Sequence, residues 1–212
     1  MKKVMVAIVM LFVMAFSFNP CYADTMGLGG SGGVEKYAGV YVGPISSTLN
    51  GVAITGGAVC IEAPKTSYFG DSWKVNVSTV SPVNLSNSRL GNAGLATYQQ
   101  VGWLMGQFAV NPGDVGEIQF AAWRLIDPAY IASHFTAAGR DIPLEDSYMS
   151  MAKAINPLMY DFTSVKIYTA LDNHNQEFMS GGATQTPIPG TGFLLLSGFG
   201  MMYFVGNRKR NV

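Results

Sequence analysis

Cysteine, histidine and charge are all scarce in this chain, and each scarcity removes a class of chemistry. Of 212 residues only two are cysteine, Cys21 and Cys60, and only two are histidine, His134 and His174. Cysteines so far apart make no CxxC pair, so neither a structural zinc site nor a dithiol redox motif can be assembled. The histidines form no HExxH-like spacing, and no Ser/His/Asp nucleophile elbow occurs, because Gly30-Ser31-Gly32 precedes the first expected strand. No metal, no cofactor and no turnover enzyme is therefore expected. His134 as an activator of Cys60 would make a protease-like pair, but the surrounding sequence reads better as a solvated loop. Asp141, Glu145 and Asp146 form a carboxylate triplet that could seat a cation, although such a triplet is more simply a solvated face. Charged residues are 12% of the chain, 13 basic against 13 acidic, and internal repeats are absent.

What is present begins with the two ends. Lys2 and Lys3 precede a nearly unbroken apolar stretch from Val4 to Phe18, and Cys21-Tyr22-Ala23 offers small residues for a signal peptidase. Residues 1–23 are read as a signal peptide cut after Ala23; Pro20 directly before Cys21 spoils a lipoprotein motif. At the other end, Thr186-Pro187-Ile188-Pro189-Gly190-Thr191-Gly192 leads into the apolar run Phe193 to Val205 and the basic cluster Arg208, Lys209 and Arg210. That run is short against the ~20 residues of a relaxed membrane span, and the basic residues would stay cytoplasmic. The three-part pattern resembles the PEP-CTERM sorting signal of Gram-negative bacteria, with Pro187, Ile188, Pro189 and Gly190 as the motif and Ile188 where glutamate is usual. The resemblance implies an exosortase as partner, a transient inner-membrane anchor, and a mature form at the cell envelope, outer surface or extracellular matrix.

Without both ends, eight basic residues face thirteen acidic ones, a formal charge of −5. A body this acidic, with no Lys/Arg cluster, is not expected to bind nucleic acid. Its length suits one domain with a real core. Residues 24–33 are small and read as a flexible linker, and residues 183–186 as a second. Gly27-x-Gly29-x-x-Gly32 matches a dinucleotide fingerprint but has no strand before it, so it carries no phosphate site. The domain is placed at 34–182 and the sorting tail at 187–212. Tyr37 to Ile45 and Val52 to Ile61 are β-prone runs split by Gly43-Pro44 and Leu49-Asn50-Gly51. Trp73, Val75, Val77 and Thr79 alternate with polar residues as a strand should. Tyr98, Val101, Leu104, Met105 and Phe108 then repeat at helix spacing until Asn111-Pro112-Gly113. A second helix starts at Asp114, with Glu117 completing a capping box, and ends at Asp127-Pro128. Ser147 to Asn156 forms a third, Phe162 to Ala170 returns to strand, and Asp172-Asn173-His174-Asn175 is a turn. The order predicts a single α+β domain, a β-sandwich or barrel-like sheet with a helical insertion.

Once the ends are removed Cys60 is alone, and an unpaired cysteine in an exported protein needs an explanation. Space-filling is one, since free cysteine is among the most buried residue types; a bond to another side chain is a second. Four stretches bear on the choice: Ala58-Val59-Cys60-Ile61-Glu62, Gly70-Asp71-Ser72-Trp73, Tyr98 to Leu104, and Ile118-Gln119-Phe120-Ala121-Ala122-Trp123. Over most of residues 36–130 they resemble the thioester domains of bacterial surface adhesins, whose signature is a cysteine on an early strand and, after a helical segment, Gln-x-Ala-x-Trp. The resemblance implies a bond between the Cys60 sulfur and the Gln119 side-chain carbonyl carbon, with ammonia released. It also implies covalent attachment to a lysine amine on a surface or matrix protein. Trp123, one helical turn from Gln119, with Trp103 and Phe120, is expected to keep water from that bond. Free N–H groups at the helix N-terminus are expected to stabilise its oxyanion. The alternative from a different class is a noncovalent structural protein of the extracellular polysaccharide matrix, in which Cys60 only packs.

Overall fold

The computed structural model describes residues 23–30 and 35–186. The expected signal sequence before residue 23, the sorting motif Pro187, Ile188, Pro189 and Gly190, the apolar run behind it and the basic tail lie outside the described residues. Among those described, no helix is long and apolar enough to cross a membrane.

In chain order the strands are β1 (Asp24–Leu28), β2 (Glu35–Tyr37), β3 (Val40–Val42), β4 (Ser47–Leu49), β5 (Val52–Ala53), β6 (Val59–Cys60), β7 (Ser72–Thr79), β8 (Tyr160–Asp161), β9 (Lys166–Ala170), β10 (Phe178–Ser180) and β11 (Thr184–Gln185). Seven of them make one antiparallel sheet in the order β5-β4-β1-β7-β9-β10-β6. Four helices, α1 (Leu95–Val110), α2 (Val115–Ile126), α3 (Pro128–His134) and α4 (Ile142–Ala154), are inserted between β7 and β8. This is the single α+β domain that the sequence predicts.

The sheet curls on itself. Ile45, just before β4, exchanges both backbone hydrogen bonds with Ala58, just before β6, at 2.8 and 2.9 Å. β5 and β6 are thus two halves of one interrupted strand: the first half pairs with β4, the second with β10. The interruption is Thr55-Gly56-Gly57, a bulge of the kind that turns barrel corners. Gly57 has φ +74°, and a Cβ there would lie 2.5 Å from the Ile45 carbonyl oxygen. Gly57→Ala is expected to cost about 2 kcal/mol or more, from φ strain plus a backbone clash at the seam. A loss under about 0.5 kcal/mol in urea unfolding would show that the seam is looser than this.

Two expected linkers are structured and need correction. Residues 24–28 of the expected 24–33 linker are β1, which lies inside the sheet between β4 and β7. The glycines taken for flexibility serve close packing instead: a Cβ on Gly27 would sit 2.9 Å from Thr48 Oγ1, and one on Gly29 2.9 Å from the Ser46 carbonyl. Met26 and Leu28 are buried between them. Residues 183–186 are likewise tied down, since Ala183 N–H donates to the Gly102 carbonyl, β11 pairs with β8, and Thr186 N–H donates to the Met159 carbonyl. The domain therefore runs from Asp24 to Thr186, wider than 34–182.

The helical insert follows its punctuation with three differences. Asp127 closes α2 and also opens α3, accepting from Tyr130 N–H at 2.9 Å with Pro128 in the first turn, so a stop signal doubles as a start. α4 begins at Ile142, earlier than the expected 147, because Asp141 caps it by accepting from Leu144 N–H. Asp114 stands at the N-cap of α2 but makes no cap bond; its carboxylate accepts from the Tyr148 hydroxyl at 2.6 Å, tying α2 to α4. α2 separates two apolar cores. Ile118, Ala121 and Ala122 join one with α1, α4, Val59, Ile61 and Ile167, while Phe120 and Trp123 join the other with Cys60, Trp73, Tyr168 and Phe178.

Candidate functional site

Cys60 and Gln119 meet where β6 faces α2. β6 is fixed by pairing with β10, Phe178 opposite Cys60, and by Ile61 N–H donating to the Glu177 carbonyl at 2.9 Å. Beneath that edge lies a satisfied polar network. Glu177, 2% exposed, accepts from Tyr98 Oη at 2.7 Å, Thr169 Oγ1 at 2.6 Å and Arg89 N–H at 3.0 Å. Burial raises its carboxyl pKa, and those three donors oppose the rise. Glu62 receives Arg89 Nε at 3.3 Å, Lys65 Nζ at 3.0 Å and Glu177 N–H at 3.0 Å. Residues 60–62 are therefore held from both sides.

Gln119 is 1% exposed and both ends of its amide are engaged. Nε2 donates to the Cys60 carbonyl oxygen at 2.6 Å, and Oε1 accepts from Gly43 N–H at 3.2 Å. The N–H that meets the Gln119 amide oxygen thus comes from a loop glycine and not from the helix N-terminus. Gly43 has φ +85°, and a Cβ on it would lie 2.5 Å from Val115 Cγ1, so only glycine brings this N–H to the helix without strain. Trp123 Nε1 is a second donor to the Cys60 carbonyl, at 3.0 Å. If Nε2 left as ammonia, that carbonyl would keep the indole as its partner, so closure orphans no buried acceptor there.

The sulfur itself donates to the Glu62 carbonyl at 3.7 Å. The thiol is buried, and its pKa is pushed up to about 12, first by desolvation, with Glu62 and Glu177 adding to the rise. It is a protonated thiol at neutral pH, inert towards solvent electrophiles. Cys60 nevertheless forms part of the floor of a cleft of about 370 Å³, whose wall includes Trp123, Tyr130, Phe135, Tyr41 and Phe69.

The expected shielding residues divide. Phe120 is fully buried, packed edge-on against Tyr37, Trp123 and Phe135 at centroid distances of 5.5, 5.1 and 5.2 Å, with the Arg140 guanidinium 4.4 Å above its ring. Trp123 is 5% exposed and stacks on Phe135. Trp103 does not belong with them. It sits on α1, half-buried against the opposite core, because the helix periodicity that buries Tyr98, Val101, Leu104 and Met105 turns it away from Cys60. Phe135 and Gly43 are the members that sequence reasoning missed; Gly43 was read only as a strand breaker, and a backbone N–H has no residue signature.

His134 is exposed on α3, its ring stacked on Tyr130 at 4.0 Å and its Nδ1 within 2.8 Å of Ser133 Oγ, engaged with its own helix and not with Cys60. The carboxylate triplet is not a common solvated face: Asp141 caps α4, Glu145 is fully buried against Arg140 and Arg124, and Asp146 pairs with Arg124 at 2.7 Å. Among the described residues no three metal-ligating side chains gather into a site. No family model, curated protein or solved structure matches this chain, so the site stands on its own geometry.

Proposed function

We propose that the protein is an exported surface or matrix component carrying an internal Cys60–Gln119 thioester, through which it attaches covalently to amine-bearing partners. One observation carries the reading. A buried glutamine amide lies against the backbone of a buried cysteine, with an N–H from a glycine in the left-handed region aimed at the amide oxygen. In closure the Sγ attacks Gln119 Cδ, the C–Nε2 bond breaks, and the thiol proton leaves with nitrogen as ammonia. Gly43 N–H meets the charge that develops on Oε1, the arrangement that stabilises tetrahedral intermediates of acyl transfer. Enforced proximity substitutes for the poor electrophilicity of an amide. Phe120 and Trp123 keep the product from water. An amine then attacks the same carbon, forming an amide and returning Cys60 as a thiol; the event happens once per molecule. Export and exosortase sorting, proposed from the terminal segments, would place the bond at the cell surface or in the matrix.

Intact mass tests this directly. The purified protein is expected to be lighter by one ammonia than its sequence, and methylamine should add its own mass while freeing a thiol that titrates on unfolding. Cys60→Ala and Gln119→Ala should each abolish the deficit. A full-mass protein whose thiol titrates on unfolding would end the covalent reading. It would leave the second one, a noncovalent protein of the extracellular polysaccharide matrix. That reading draws on a specific fact: the thiol is held protonated and the glutamine amide is already satisfied at both ends.

A further inference from the structure

The cleft over Cys60 lies between the β2–β3 hairpin and α3. Its walls are aromatic, with Tyr41 42% exposed and set edge-on to Phe69 at 5.0 Å, facing Tyr130 and Phe135. Among the described residues Lys65 is its one charged lining residue, and no carboxylate side chain lines it. A second cation, Lys36, lies 4.9 Å over the outer Tyr41 ring, its cross-strand partner on the β2–β3 hairpin. The nearest carboxylates are already engaged, and Glu62 is shared by two cations, one of them Lys65 itself. Glu177 is enclosed by Tyr98 and Thr169, and Asp71 accepts from Tyr68 N–H. A body with a formal charge of −5 between its end segments thus places two lysines at this mouth, Lys65 sharing Glu62 with Arg89 and Lys36 lying on the Tyr41 ring.

We propose that this cleft selects a lysine embedded in an acidic peptide segment. The inference rests on the thioester reading and names its partner class. Flanking carboxylates pair with Lys65 and Lys36 at the mouth, while the aliphatic stem of the target lysine passes between Tyr41, Phe69, Tyr130 and Phe135. The aromatic walls strip water from the amine, which favours the free base, and the free base is the nucleophile. It attacks Gln119 Cδ, the S–C bond breaks, and an amine proton passes to Sγ; nothing else is consumed. A lysine among basic residues is repelled at the mouth and reacts slowly. Charge complementarity of this kind acts mainly on the rate of encounter.

The test uses short blocked peptides with one central lysine flanked by aspartates, glycines or arginines, and follows thioester opening by intact mass. The aspartate peptide is expected to react roughly tenfold faster than the glycine peptide at low salt, and the advantage should shrink near 1 M salt, where screening reaches about 3 Å. In K36E/K65E the order should invert, with the arginine peptide fastest; the milder K36Q/K65Q should level the three. The ammonia deficit, measured first in each variant, shows that the bond has formed. Equal rates for the three peptides on an intact wild-type thioester would overturn the inference and leave the thioester standing. An absent deficit in the wild type would overturn the thioester itself, and the inference with it.

Discussion

Replacing Glu145 by alanine is expected to destabilise the domain by about 3–5 kcal/mol, the range for removing one partner of a buried ion pair. Glu145 has no exposed surface, and its Oε1 accepts from Arg140 Nε at 2.8 Å while its Oε2 receives a second Arg140 nitrogen and Arg124. Its loss leaves the Arg140 guanidinium, only 5% exposed, without its carboxylate and still lying on the Phe120 ring. Phe120 adjoins Gln119, so under the proposed thioester chemistry the variant should also close that bond incompletely, readable as a mixture of masses. Glu145→Gln, which keeps acceptors but removes charge, should lose less. A denaturation midpoint within experimental error of wild type for Glu145→Ala would mean that Arg140 finds solvent and that the pair is not structural.

Alkaline pH should distinguish a free Cys60 thiol from a bonded one. In Gln119→Ala the thiol is retained, and it keeps its proton in the folded state up to a pKa of about 12, against an ordinary value of about 9. The unfolded chain therefore releases this proton first. Folded stability is intact below pH 9 and falls as pH rises from there towards 12, by on the order of 4 kcal/mol in total. Buried tyrosines raised by desolvation, Tyr98 and Tyr168 among them, lose stability with the same sign. The measured quantity is accordingly the difference between Gln119→Ala and Gln119→Ala with Cys60→Ala, by urea unfolding at pH 8 and at pH 11. Parallel curves for the two would show that the thiol reaches solvent and is not desolvated.

Much of this architecture can be read from local pattern. The alternation from Trp73 to Thr79 is β7, and the helix-spaced run from Tyr98 to Phe108 lies within α1. The glutamine and tryptophan one turn apart both reach the Cys60 carbonyl. What escaped the sequence reading was set by neighbours distant in the chain. β1 reads as a glycine linker because Thr48 and Ser46, which demand those glycines, lie about twenty residues on. Trp103 fits any scheme that counts bulky aromatics near a motif, yet helix phase alone turns it to the other core. Gly43 contributes a peptide N–H, which every residue but proline has, so only the folded chain could identify it.

The seam between Ile45 and Ala58 also bears on how these molecules behave when crowded. A strand shared by both ends of a sheet leaves little open rim, and the two satellite pairs, β2–β3 and β8–β11, are only two or three residues long. Open rims are the usual template for fibril growth and strand swapping between chains. At the high local density of the proposed cell-surface or matrix location, these domains should stay discrete beads and not fuse into ribbons. Any network they build would then be set by chemical links, with its junctions counted by reactive sites and not by backbone pairing.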